Sequence, residues 1–137
     1  MSQPGRPGNP DDVHEQRAKA LAQAALNAAR SLGLSPGDTA TALGLPQNAL
    51  KSLQQGTRLL DGTSGEAERA DALVRIAKRL KALLGDQETQ WRSWIRQPCD
   101  ALGDKPLALM LQRNGAEKVV RFVERATSLG GNPPVKP

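Results

Sequence analysis

Aromatic residues are almost missing from this sequence: there is no tyrosine, and Trp91, Trp94 and Phe122 are the whole complement. Core packing must then rest on leucine and alanine, which are strong helix formers, while sparse Val, Ile and Phe leave little material for an extensive sheet. The expected fold class is all-α. A single cysteine, Cys99, excludes an internal disulfide framework and fits a reducing compartment. One Cys and one His cannot assemble a Cys/His zinc constellation. His14 lies near the N-terminal end, a poor place for a general base, and Cys99 has no histidine at hand to activate it. The glycines form neither a Walker ending nor a G-x-G-x-x-G turn, so no phosphate-cradling loop is written here. The carboxylates are scattered among basic neighbours, as on ordinary helical surfaces. Together these absences argue against an enzyme and give no catalytic, metal or cofactor residues. No apolar run approaches transmembrane length, and Met1–Pro10 has no apolar stretch of signal-peptide type. The reading is a cytoplasmic protein with no membrane partner.

What is present is helical punctuation. At 137 residues the chain can form one domain or two very small ones sharing a core. Residues 1–11 and 132–137 are polar, Pro/Gly-rich ends expected to be disordered or flexible. Leu21, Ala25, Ala28 and Leu32 put an apolar stripe on a helix over about 12–32, with Gly33 where a C-terminal cap belongs. Ser35-Pro36 opens a short helix ending near Leu43 at Gly44. Pro46 restarts the chain to about Gln55. Thr63-x-x-Glu66 has capping-box spacing ahead of a long helix through Leu73, Ile76, Ala77, Leu80 and Leu83, which Gly85 ends. Asp86 is placed to cap a helix carrying Trp91, Trp94 and Ile95, and Pro98 stops it. Asp104 and Pro106 start another short helix, which stops at Asn114-Gly115. Val119, Phe122, Val123 and Ala126 line one face of the last, before Gly130-Gly131. The expected division is 12–85 and 86–131.

Residues 36–55 have the parts of a helix-turn-helix: a short first helix, small Ala40 for close approach, Gly44 in the turn, Leu45 to plug it, and Leu50 with Leu53 to anchor a second helix. At 100° per residue, Asn48, Lys51 and Gln55 fall opposite those leucines, with Gln47 and Ser52 beside them. Gln and Asn can pair bidentately with adenine, and Lys can reach guanine or phosphate. No acidic residue lies between Thr39 and Leu60, and Arg58 adds charge where phosphates would lie. The candidate DNA-binding set is therefore Gln47, Asn48, Lys51, Ser52, Gln55 and Arg58. The same residues would equally serve as the solvated face of an ordinary helix. A formal charge of +5 favours an anionic partner without specifying one. With one cation on the second helix, useful affinity needs two copies, so a homodimer is part of this reading.

The paired tryptophans Trp91 and Trp94, the corner Leu102-Gly103-x-x-Pro106-Leu107 and the Asn114-Gly115 hinge before an amphipathic helix resemble the toxin-binding domain of the Xre/ParS/MbcA antitoxins. Upstream, Leu32-Gly33-Leu34-Ser35 through Gly44-Leu45-Pro46-Gln47-Asn48-Ala49-Leu50 is similar to the Xre-like helix-turn-helix that precedes that domain in the family. The resemblance implies the antitoxin of a type II toxin–antitoxin system, whose C-terminal module docks on a RES-type toxin and obstructs its NAD-binding active site. It also implies repression of the shared operon through promoter DNA. In this chain the implied toxin contacts are Arg121, Arg125, Leu129, Gly130 and Gly131. Two features depart from the pattern: the extension Asn132-Pro-Pro-Val-Lys-Pro137, and Cys99, which follows Pro98 where the family often has a polar residue such as Asn. A free-standing helix-turn-helix regulator and a dimeric interaction module without DNA binding are the alternative readings.

Overall fold

The computed structural model describes residues 10–60, 65–112 and 115–128, without the side chains of 10–14, 47 and 128. Among these residues lie α1 (Pro10–Ser31), α2 (Pro36–Leu43), α3 (Gln47–Gln55), α4 (Glu66–Leu84), α5 (Glu88–Ile95), α6 (Pro106–Met110) and α7 (Ala116–Ser128). The described part is an all-α bundle, consistent with an Xre-like helix-turn-helix followed by a small helical module. No helix among the described residues is long and apolar enough to cross a membrane.

The first three helices end in the same way. Leu34, Leu45 and Thr57 each donate their backbone N–H five residues back, to Ala29, Ala40 and Ser52, while Gly33, Gly44 and Gly56 bond to Arg30, Thr41 and Leu53. This is the Schellman pattern, which satisfies carbonyls that the helix itself leaves open. It requires a left-handed residue before the chain turns, and Gly44 provides it at φ 76° without the Cβ clash another residue would meet. At the start of α2, the Ser35 hydroxyl accepts from the Asp38 N–H and Pro36 sits in the first turn, as the sequence predicts.

Three expected caps differ. Helix α4 begins at Glu66 with Gly65 as its cap. Glu66 is therefore at the first helical position rather than the third, too early to close a capping box, and it turns to Arg58 instead. Thr63 lies outside the described residues. Asp86 does not cap α5: Gln87 holds that position without a side-chain bond, and the Asp86 carboxylate faces Lys81 at 3.6 Å. Asp104 likewise precedes the cap of α6, which is Lys105, and accepts that residue's N–H at 2.7 Å.

Helix α4 is the shared wall of the molecule, packing against α1 on one side and α7 on the other. Its Leu73, Ile76 and Leu80 are buried in a single apolar cluster running from Ala22 and Leu32 through Leu43 and Leu53 to Trp94, Met110 and Val123. The expected boundary near residue 85 thus coincides with a helix end, at Gly85, while the core continues across it.

Candidate functional site

Two surfaces answer to the expected contacts, one on α3 and one on α7. On α3, Leu50 and Leu53 are buried beside Ala40, Leu43 and the turn-plugging Leu45, which fixes the opposite arc outward. Asn48, Lys51, Gln54 and Gln55 are exposed on it, and Ser52 is half-buried. Gln54 also belongs to this face. It lies only about 60° from Lys51 on the helical wheel, and exposure is the signal that adds it. The Gln47 side chain is outside the described residues.

Arg58 is committed elsewhere. Its two terminal nitrogens donate to both carboxylate oxygens of Glu66 at 3.0 Å each. The Glu66 side chain is only 7% exposed, so its charge needs this partner, and the bidentate geometry ties the exit of α3 to the entry of α4. A second arginine, Arg69, reaches from α4 to the Thr41 carbonyl at the end of α2. The turn region around α2 and α3 is therefore braced by arginines that act inward.

The C-terminal surface is built on aromatic packing. Trp91 and Trp94 are both buried. The Trp91 indole N–H donates to the Gly85 carbonyl at 2.9 Å, which gives the polar edge of a buried ring its partner. Trp94 stacks on Phe122 of α7, with centroids 6.0 Å apart and planes 14° from parallel. Val119, Val120 and Val123 complete the buried face of α7. The corner between α5 and α6 is closed by backbone bonds, Cys99 N–H to Asp104 and Leu102 and Gly103 N–H to Cys99, so the side chain at 99 is free to be a small buried thiol. The turn into α7 depends on Gly115, where a Cβ would lie 2.0 Å from the Leu109 carbonyl oxygen.

With that face buried, Glu117, Lys118, Arg121 and Arg125 are exposed on the other. Arg121 is 4.0 Å from Glu117. Glu124 faces α4, where Arg75 donates to both of its oxygens at 2.9 and 3.0 Å. These bonds hold the Arg75 guanidinium above its usual range, against a lesser opposing effect of desolvation. Of the implied toxin contacts, Arg121 and Arg125 share one face; Leu129, Gly130, Gly131 and the extension to Pro137 lie outside the described residues.

The two halves are also joined through α5. Arg92 donates to the Ser31 carbonyl at 3.1 Å and Arg96 to those of Leu32 and Gly33 at 3.2 and 2.8 Å, while the Ser31 hydroxyl donates to Glu88 at 2.9 Å. These cations sit where the α1 dipole and its open carbonyls favour them. Nothing in their spacing announces this role, because the carbonyls they satisfy are about sixty residues away.

Residues 79–135 match the Xre/MbcA/ParS antitoxin C-terminal toxin-binding domain. The matched stretch takes in the end of α4 and all of α5, α6 and α7, so the aromatic platform and the exposed arc of α7 both lie within it. A search of curated proteins finds no match. The C-terminal part of the chain is thus similar to a toxin-binding domain family, consistent with an Xre/ParS-type regulatory or antitoxin-like protein with a toxin as its general partner. Among the described residues no group of three or more His, Cys, Asp or Glu is placed to hold a metal ion.

Proposed function

We propose that this protein is the antitoxin of a type II toxin–antitoxin pair, neutralising a RES-type, NAD-degrading toxin by steric occlusion. The observation that carries the reading is the match over residues 79–135, which coincides with the α5–α7 unit and its outward face on α7. Arg121 and Arg125 would contribute to docking together with Leu129, Gly130 and Gly131. In the same reading α2 and α3 form a helix-turn-helix that presents Asn48, Lys51, Gln55, Gln47 and Ser52 to operator DNA, and the protein represses its own operon as a homodimer in the cytoplasm. The Arg58–Glu66 pair leaves Lys51 as the cation of the α3 face. This supports the need for two copies, and it is also the feature that favours the alternative of an interaction module that has given up DNA.

The test is purification of the tagged protein from its native host at moderate salt, with mass spectrometry of whatever accompanies it in stoichiometric amount. A RES-type protein is expected. Recovery of the chain alone, from cells shown to produce such a toxin, would overturn the reading and favour a free-standing regulator.

A further inference from the structure

In sequence the charges of α7 are mixed: Glu117, Lys118, Arg121, Glu124 and Arg125. The fold sorts them. At 100° per residue, Lys118, Arg121 and Arg125 fall within an arc of about 60°, with Glu117 about 40° outside it. Glu124 lies about 20° further round, turned to α4, where Arg75, itself 3.6 Å from Asp71, holds both its oxygens. Its side chain is 26% exposed against 77% for Arg121. Lys118 and Arg125 have no ion-pair partner among the described residues, and Glu117 approaches Arg121 only at the 4.0 Å limit.

We infer that Lys118, Arg121 and Arg125 form a docking strip for an acidic surface on a protein partner, and that Arg75 is a positioning residue that makes the strip basic by neutralising Glu124. The inference rests on the proposed function for the existence of a protein partner; it adds the chemistry of that partner's surface, a third contact in Lys118, and a role for a residue on another helix. Charge complementarity favours an acidic protein surface over nucleic acid. The exposed Glu117 carboxylate beside the strip would be repelled by the uniformly anionic backbone of a duplex, whereas a protein surface can set a donor opposite it.

The experiment is a titration of the full-length, ¹⁵N-labelled chain with a short oligoglutamate peptide and, separately, with random-sequence duplex DNA. The peptide is expected to move the amides of α7 around Lys118, Arg121 and Arg125, with binding lost as salt rises from about 0.05 M to about 0.5 M. Lys118→Glu is expected to weaken it about two- to fivefold. Arg75→Gln, which touches none of the strip, is expected to weaken it about twofold, and the double variant Arg75→Gln/Glu124→Gln to restore it, a rescue that a merely structural role for Arg75 would not give. If Arg75→Gln does not fold, Lys118→Glu and Glu124→Gln decide alone, the second binding the peptide at least as well as the parent. The inference is overturned if α7 amides do not respond to the peptide, if duplex DNA engages them more tightly, or if Lys118→Glu binds unchanged. None of these results bears on whether a RES-type protein co-purifies, so the two proposals fail separately.

Discussion

Helices α3 and α7 are built alike and equipped differently. Each buries an apolar arc and turns a polar one outward, but α3 offers Asn48, Gln54 and Gln55 around the single charge of Lys51, while α7 offers Lys118, Arg121 and Arg125. The difference lies less in how many cations each region owns than in where the fold spends them. Around α3, Arg58 and Arg69 are turned inward, onto Glu66 and the Thr41 carbonyl. Around α7, an arginine of α4 is spent on Glu124, and the helix's own arginines stay outside. A net charge of +5 therefore says little about either surface: neutral amides suit the reading of base edges, whereas an exposed basic strip suits an acidic partner.

Displacing α7 should do the most damage. Gly115→Ala would set a Cβ 2.0 Å from the backbone oxygen of Leu109, an overlap no flexible side chain can relieve. We expect a loss of about 4 kcal/mol or more in chemical denaturation, with near-ultraviolet circular dichroism of the tryptophans collapsing as the α6–α7 turn opens. Trp94→Ala comes next. It removes the ring that backs Phe122 from a site only 2% exposed, at an expected cost of about 3–5 kcal/mol. A smaller loss than that of Leu53→Ala in α3 would mean that the aromatic platform is not the firmer anchor. Glu66→Gln is intermediate, at about 1–3 kcal/mol, because it strips the partner charge from Arg58.

Much of this was legible in the chain. Helix formers, glycine stops and the spacing of leucines predict all seven described helices to within a few residues, because each is a local signal of backbone preference and period. The outward positions of Lys51, Gln55, Arg121 and Arg125 follow from the same periodicity. Less legible were the fates of the charges. Glu66 reads as a capping-box residue from three-residue spacing, yet one glycine at position 65 moves the helix start and sends the carboxylate to Arg58. The bonds from Arg92 and Arg96 to the end of α1, and from Arg75 to Glu124, join residues about fifty to sixty positions apart. Such pairings depend on how helices stack, which no local pattern encodes.

For α3 the telling ligand is DNA. If α3 reads an operator, Gln55→Ala should cost about 1–3 kcal/mol of affinity for the cognate sequence and relax preference at one base. Lys51→Ala should weaken all sequences alike and reduce the salt slope by about one. Fluorescence anisotropy with cognate and scrambled duplexes distinguishes the two effects. Equal behaviour of both variants would return α3 to the status of a solvated face, and leave α7 as the one equipped surface of the pair.

The smallest expected change is the most selective. Glu117 and Arg121 are four residues apart on an exposed face, with side chains 53% and 77% exposed, a setting in which an ion pair gives little net stability because water screens it and two long side chains must be held in place. Glu117→Gln should therefore leave the denaturation midpoint nearly unchanged, within about 0.5 kcal/mol. The same substitution removes an exposed acid of α7 beside Lys118, Arg121 and Arg125, so oligoglutamate should bind about twofold more tightly. A loss of stability without a gain in affinity would mean that the pair serves the helix rather than the surface. The asymmetry between α3 and α7 would then rest on Arg75 and Glu124 alone.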